Sequence, residues 1–241
     1  MKLLILGEER IKMISFTIET KKIQVWPSKD ANRPVIYFNT FSEEGEQVLS
    51  LLKDNSDMTE KNHDFTLAAV SNLDWDHDMS PWDIPPIFKG DTPCTGGADD
   101  YLNLLTKKIL PETENHIKGS AAWRGLAGYS LAGLFAVYAM YQTEAFTRIA
   151  SMSGSLWFPG IIEYIHTHEF KQTPDCIYLS LGNKEAKTRN PYLKSVQQNT
   201  EEIYKSYQKQ GINTTFVLNP GNHFKDAAER SAKGIQWMMK Q

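Results

Sequence analysis

Ser130 lies in the most informative segment of the chain, between a predicted buried strand and a predicted helix. Gly128 precedes it by two positions and Ala132 follows it by two, which is the G-x-S-x-G spacing with alanine in the last place. In this pattern the serine sits on a sharp strand-to-helix turn that exposes its hydroxyl, and small flanking residues prevent backbone clashes. The free N–H groups at the start of the helix lie where an oxyanion would form. We therefore predict that Ser130 is a nucleophile.

The same segment does not fit two phosphate-binding motifs, and a third pattern fails as a metal site. Gly128 and Gly133 have the glycine spacing of a P-loop, but Leu134 and Phe135 stand where Lys and Ser or Thr are required. The segment also lacks the Gly-x-Gly-x-x-Gly pattern of dinucleotide binding. A calcium loop beginning at Asp74 would lack its required glycine and glutamate. We therefore predict no cofactor and no metal.

A serine hydroxyl needs a base to attack at neutral pH, and His223 is the best candidate among the six histidines. In serine hydrolases with this turn, the chain order is Ser, then acid, then His. Only His166, His168 and His223 follow Ser130. The first two lie on a polar helical stretch and are expected at the surface. His223 lies in a Pro/Gly loop between the last predicted strand and the last predicted helix.

Glu185 is the predicted acid that orients the imidazole and stabilises its charged form. It lies just beyond the strand Cys176–Leu181, whereas Asp175 precedes that strand and belongs to the opposite edge. Asp226 is too close to His223 in sequence to be the usual partner. A solvated loop carboxylate beside two lysines is the alternative interpretation of Glu185.

Two backbone N–H groups should stabilise the oxyanion. One is expected from Leu131, which directly follows the nucleophile. The other should come from the loop after the strand Val35–Phe38, from Thr40 or Phe41, and Phe41 is preferred.

Strands alternate with helices along most of the chain, which predicts an α/β fold with a mostly parallel central sheet and helices on both faces. The segment 71–97, rich in Pro, Trp, Asp and Gly, is predicted as a long structured loop that forms part of a site wall. Residues 1–241 are interpreted as a single domain. The predicted strands are Met13–Thr20, Lys22–Trp26, Val35–Phe38, Phe65–Val70, Trp123–Ala127, Phe146–Met152, Cys176–Leu181 and Thr214–Leu218. The predicted helices are Glu44–Lys53, Asp99–His116, Leu131–Gln142, Ile161–Thr167, Pro191–Gln210 and Lys225–Lys240.

Composition argues against several classes of protein. The formal net charge is −3 with no basic block, so we expect no nucleic-acid partner. Cys94 and Cys176 have neither metal-ligand spacing nor a disulfide pattern, which suits a reducing cytoplasm. The apolar run Leu3–Leu6 is too short for a signal peptide, and no segment is long and apolar enough to span a bilayer. We predict a cytoplasmic protein without membrane contact, either a monomer or a homodimer.

With these residues assembled, the chain resembles the "Putative esterase" family, which includes esterase D-like enzymes, siderophore esterases, feruloyl esterases and mycolyltransferases. The resemblance runs from about Arg33 to the C-terminus and looks strongest to the siderophore-esterase branch. It implies the α/β-hydrolase fold and ester chemistry through Ser130, Glu185 and His223. The matching segments are 34–38, 76–82, 96–102 with 110–111, 128–133, 153–157, 182–185 and 221–224.

The chain departs from the family pattern at two loops. Asn39-Thr40-Phe41 replaces the Asp-Gly or His-Gly of many members, and His77 replaces an arginine. Some siderophore esterases work with a Ser–His pair alone. Aromatic side chains near the predicted sheet edge are expected to line an apolar acyl or aryl pocket; Phe41, Trp82, Phe88 and Trp157 belong to this group, and Tyr129 is a further substrate contact.

The leading prediction is a serine carboxylic-ester hydrolase that acts on a small-molecule ester through an acyl-enzyme on Ser130. Two alternatives remain at this stage: acyl transfer to a sugar or another alcohol, and a binding module that kept the fold without activity.

Overall fold

The computed structural model describes residues 13–54 and 64–241. The apolar run Leu3–Leu6, which was judged too short for a signal peptide, lies outside the described residues. Within them, no helix is both long and apolar enough to cross a membrane.

An eight-stranded sheet forms the centre of the described chain, and six of its strands are parallel neighbours as predicted. Its spatial order is β1-β2-β4-β3-β7-β8-β9-β10, with antiparallel pairing only between β1 and β2 and between β2 and β4. The strands are β1 (Ile14–Ile18), β2 (Lys21–Trp26), β3 (Val35–Asn39), β4 (Thr66–Ser71), β7 (Arg124–Tyr129), β8 (Arg148–Met152), β9 (Cys176–Gly182) and β10 (Asn213–Asn219). A small antiparallel pair, β5 (Asp83–Ile84) and β6 (Cys94–Thr95), lies apart from it.

Helices cover both faces of this sheet, so that β3, β4 and β9 are buried at every position. In β3, Val35 and Tyr37 belong to one core and Ile36 and Phe38 to the other. The first core contains the inner faces of α3, α5, α6 and α8, and the second contains those of α1 and α9. The helices are α1 (Gly45–Asp54), α2 (Trp75–Asp78), α3 (Ala98–Leu104), α4 (Leu110–Glu114), α5 (Leu131–Ala139), α6 (Ile161–Thr167), α7 (Pro191–Lys194), α8 (Val196–Lys209) and α9 (Ala227–Met239).

Two helices predicted as continuous are interrupted. A π-helical turn, Leu105–Ile109, separates α3 from α4 and directly precedes Pro111 near the start of α4. Proline has no N–H, and its ring clashes with the carbonyl four residues earlier, so a wider turn before it relieves the conflict. The second interruption lies at Ser195 between α7 and α8.

The segment 71–97 is more ordered than a loop. It contains α2 and the β5–β6 pair, and its carboxylate Asp78 is buried against Lys21 of β2. Asp78 also accepts a hydrogen bond of 2.7 Å from the N–H of Asp74. This ion pair attaches the site wall to the sheet edge.

Removing one partner of this pair should be strongly destabilising, because the other charge stays buried without compensation. We expect Lys21→Ala to lower the free energy of unfolding by about 3–5 kcal/mol. The matched control is Lys108→Ala, which breaks an exposed pair with Glu19 (side chains 58% and 55% exposed) and should cost roughly 0–1 kcal/mol. Urea denaturation of both variants measures the two values, and equal losses would contradict the role assigned to Asp78.

Candidate active site

Ser130 occupies a strained turn between the end of β7 and the start of α5. Its backbone has φ 59° and ψ −124°, a conformation that non-glycine residues rarely adopt. The turn is held by the Ser130 N–H, which donates to the carbonyl of Met152 (3.1 Å), and by the Ser130 carbonyl, which accepts from Leu134 (3.1 Å). Such strain persists only where surrounding contacts over-determine it, and it exposes the serine side chain at the carboxyl edge of the sheet.

Gly128 permits this turn because a side chain there would collide with the helix. A Cβ at position 128 would lie 2.3 Å from the carbonyl oxygen of Ala132 and 2.6 Å from its Cβ. Ala132 is itself fully buried and fits without a glycine. The Gly-x-Ser-x-Ala spacing therefore has a direct steric cause.

The structure brings Ser130, His223 and Glu185 together in one hydrogen-bonded chain. His223 Nε2 lies 3.0 Å from Ser130 Oγ, and His223 Nδ1 lies 2.8 Å from Glu185 Oε2. His223 lies in the loop between β10 and α9, and Glu185 lies in the turn after β9. Because β7, β9 and β10 are parallel, their carboxyl ends meet at one edge of the sheet.

Glu185 is held in a nearly closed pocket, with its side chain only 5% exposed. Its Oε1 accepts from Ser153 Oγ (2.8 Å), from the N–H of Gly182 and from Arg230. Burial raises the pKa of Glu185, but hydrogen bonding to His223, the His223 charge and the Gly182 and Ser153 donors outweigh it and hold that pKa below the usual value of a glutamate. The carboxylate is therefore ionised at neutral pH.

Sequence reasoning missed Arg230, which lies on α9 and is 1% exposed. A signal was available: Arg230 lies four residues before Gly234 and eight before Met238, both buried on the inner face of α9. A charged residue on the apolar stripe of a helix requires a buried partner.

The predicted oxyanion donors lie beside the serine. Leu131 is the first residue of α5, where backbone N–H groups have no carbonyl one turn earlier. The Thr40 N–H donates to the carbonyl of Val70 (2.9 Å) and is thus occupied. Phe41 lines the cavity at Ser130 and His223, and its N–H makes no hydrogen bond with any residue the structure describes.

Two cavities meet at Ser130 and His223. The larger has a volume of about 650 Å³ and includes Phe88, Trp157 and Asp91 in its lining. The smaller has about 320 Å³ and is bordered by Phe41 and Tyr129, among others. Phe224, 86% exposed, and Trp75 contribute to both cavities.

The aromatic residues predicted to contact substrate are distributed differently from one another. Trp157 lines the larger cavity, and Tyr129 lines the smaller one while its hydroxyl donates to the His223 carbonyl (2.7 Å). Trp82 is not part of either lining. Its Nε1 donates to the Pro159 carbonyl (2.8 Å), and its ring packs edge-on against Phe158. Trp82 therefore packs against Phe158 and Pro159 and does not face either cavity.

Among the described residues, no three His, Cys, Asp or Glu side chains gather in a group that could hold a metal ion. His166 pairs with Glu202 at the surface, away from Ser130, as the sequence predicted.

Several known proteins are similar to this chain in sequence or in fold. YbbA of Bacillus subtilis, described as an uncharacterized protein, is 22% identical over 169 residues, covering 67% of this chain and 68% of that protein. The siderophore hydrolase EstA of Aspergillus nidulans superposes with a TM-score of 0.77 at 18% identity, covering 95% of this chain and 94% of EstA. An IroE-like serine hydrolase of Shewanella oneidensis superposes with a TM-score of 0.75 at 17% identity, covering 95% and 80%.

These structural matches confirm the predicted α/β-hydrolase fold. The model of the "Putative esterase" family matches residues 56–225, which is well over half of the chain. The chain therefore belongs to the "Putative esterase" family and is a carboxylic ester hydrolase.

Proposed function

We propose that the protein hydrolyses a small-molecule ester through a covalent acyl-enzyme on Ser130. The observation that carries the proposal is the hydrogen-bonded chain from Ser130 Oγ through His223 to Glu185, with distances of 3.0 and 2.8 Å. These distances are within the reach required for a nucleophile, a base and an orienting acid.

In the first half-reaction, Ser130 Oγ attacks the ester carbonyl carbon while His223 Nε2 accepts the hydroxyl proton. The carbonyl oxygen becomes an oxyanion stabilised by the N–H groups of Leu131 and Phe41. The C–O bond to the alcohol then breaks, and His223 donates its proton to the departing oxygen. Water then gives a proton to His223 Nε2 and attacks the acyl carbon. The bond between that carbon and Ser130 Oγ breaks, His223 returns the proton to Oγ, and the carboxylic acid leaves.

Glu185 keeps the imidazole in the tautomer that leaves Nε2 free to accept a proton. As an ionised acceptor, its Oε2 holds hydrogen on Nδ1 and stabilises the imidazolium formed during attack. Its low pKa suits this role, since a protonated carboxyl would not provide the negative charge.

The cavities favour an ester with two unequal parts. The larger cavity, lined in part by Trp157, Phe88 and Phe224, accepts a bulky, partly aromatic group on one side of the serine. The smaller cavity accepts a smaller group on the other side. Siderophore esters are the first class to test, because EstA is named a siderophore hydrolase. Acyl transfer shares the acyl-enzyme and would appear as product partitioning toward added alcohols.

Ser130→Ala should abolish ester hydrolysis, because it removes the attacking oxygen. We expect turnover of p-nitrophenyl acetate and butyrate to fall by about 10³-fold or more. A fluorophosphonate probe should label the wild type and leave the variant unlabelled. The control is Ser120→Ala, an exposed serine in the loop before β7, which should keep wild-type turnover. Equal turnover in the wild type and Ser130→Ala would refute the proposed mechanism.

Glu185→Gln should lower kcat by roughly 10²–10⁴-fold, since the amide keeps the shape of the carboxylate but not its charge. Circular dichroism should show a folded variant, and a kcat within twofold of the wild type would argue for a Ser–His pair without an acid.

The same substitution predicts a pH dependence of stability. The pKa of Glu185 is lowered in the folded protein, so its stabilising contribution is complete above about pH 4.5 and is lost as pH falls through the folded-state pKa. The difference in unfolding free energy between the wild type and Glu185→Gln should thus be constant near neutrality. Below that pH, the unfolding free energy of the wild type should fall relative to that of the variant. Denaturant titrations at several pH values measure it, and a difference independent of pH would contradict the lowered pKa.

A further inference from the structure

Arg230 is a fully buried cation that contacts the acid of the proposed triad. Its Nη1 lies 3.2 Å from Glu185 Oε1, 3.2 Å from Ser153 Oγ and 3.2 Å from Tyr129 Oη. Its Nη2 donates to the Pro220 carbonyl at 3.0 Å. Burying a guanidinium is costly, so these four partners are needed to compensate it.

The contacts of Arg230 complete a closed ring of hydrogen bonds around the site. Arg230 donates to Tyr129, and the Tyr129 hydroxyl donates to the His223 carbonyl (2.7 Å). His223 Nδ1 contacts Glu185 Oε2, and Glu185 Oε1 returns to Arg230. One side chain thereby joins the residue before the nucleophile, the loop of the base and the acid.

This arrangement assigns the two oxygens of Glu185 to different tasks. Oε1 accepts hydrogen bonds from Arg230, Ser153 and Gly182, whereas Oε2 contacts His223 Nδ1. With one oxygen saturated by donors from three elements, the carboxylate cannot rotate without breaking several bonds.

The backbone around Arg230 is packed to allow these contacts. A Cβ at Gly182 would lie 3.0 Å from Arg230 Nη1 and 2.4 Å from the Gly221 carbonyl oxygen. The end of β9 and the loop of His223 therefore approach each other closely at the guanidinium.

We propose that Arg230 is a positioning residue for ester hydrolysis. It orients Glu185 and keeps the loop of His223 where the imidazole reaches Ser130. Its positive charge, 3.2 Å from Glu185 Oε1, also stabilises the ionised carboxylate. This inference rests on the proposed function of Ser130, Glu185 and His223.

The test compares Arg230→Met with Arg230→Lys in hydrolysis of p-nitrophenyl acetate, with active sites counted by fluorophosphonate labelling. We expect Arg230→Met to lower kcat by about 10–100-fold while KM changes less than about threefold. The acid limb of its kcat/KM profile should move to higher pH by about one unit, because loss of a cation 3.2 Å from Glu185 favours the protonated states of the pair. Arg230→Lys keeps the charge, and its acid limb should stay near that of the wild type with an intermediate kcat.

Arg148→Met is the matched control for damage to the fold. Arg148 is a mostly buried arginine that donates to the Met238 carbonyl (2.9 Å) at the far end of α9. This control should lower the melting temperature without moving the pH profile. If Arg230→Met does not fold, Tyr129→Phe tests the same ring, and it should lower kcat by roughly 2–10-fold while preserving KM.

A purely structural role would give a different result. Arg230→Met or Tyr129→Phe with wild-type kcat per labelled site and an unmoved acid limb would overturn the positioning role, while an inactive Ser130→Ala would leave the proposed function standing. Wild-type turnover in Ser130→Ala would instead overturn both.

Discussion

The close contact between β7 and α5 is the constraint on which the site depends. The turn that holds Ser130 at φ 59° brings the backbone of Gly128 so near Ala132 that no side chain fits between them. A serine on an ordinary helix would direct its hydroxyl along the helix surface and satisfy it with backbone carbonyls. Here it projects from the sheet edge, and the first N–H groups of α5 lie behind it. The strain is supported by the buried core beneath, to which every residue of α5 contributes.

A second constraint follows from burying a carboxylate at that edge. Glu185 is almost fully enclosed, so it requires donors from several elements to remain charged. Ser153, the Gly182 N–H, His223 and Arg230 provide them. The donors to Glu185 thus come from the end of β9, from α9 and from the loops after β8 and β10, so the environment of this carboxylate depends on packing across the C-terminal half of the sheet.

The two cavities show how the same edge can select a substrate. Ser130 and His223 lie where the cavities join, and Phe224 extends from the base into both of them. The segment 71–97 supplies much of the wall of the larger cavity and is attached to β2 through Lys21 and Asp78. The wall of the larger cavity is therefore built largely from segments outside the sheet, whereas Ser130, Glu185 and His223 are brought together by the ends of its strands.

Much of the fold, and the three residues that meet at the carboxyl edge of the sheet, could be predicted from local pattern. Continuous apolar runs predicted the parallel strands, and the Gly-x-Ser-x-Ala spacing predicted the turn, because both depend on short-range sterics. The interruption before Pro111 and the order within 71–97 were missed, since they depend on how helices and loops dock rather than on periodicity. Trp82 was predicted in the pocket because sequence shows only that an aromatic residue is near the edge, not which way its ring faces.

By itself, the sequence determined that Ser130 stands on a tight turn, with a glutamate and a histidine after later strands in the order that a serine hydrolase requires. Only the tertiary structure decided that these groups are within hydrogen-bonding distance, that Glu185 is buried, and that Arg230 lies against it. The physical reason is that side chains 38 to 101 residues apart in the chain meet only when the parallel sheet has formed and α9 has packed on it. A buried charge such as Arg230 is explained by partners that no local segment contains.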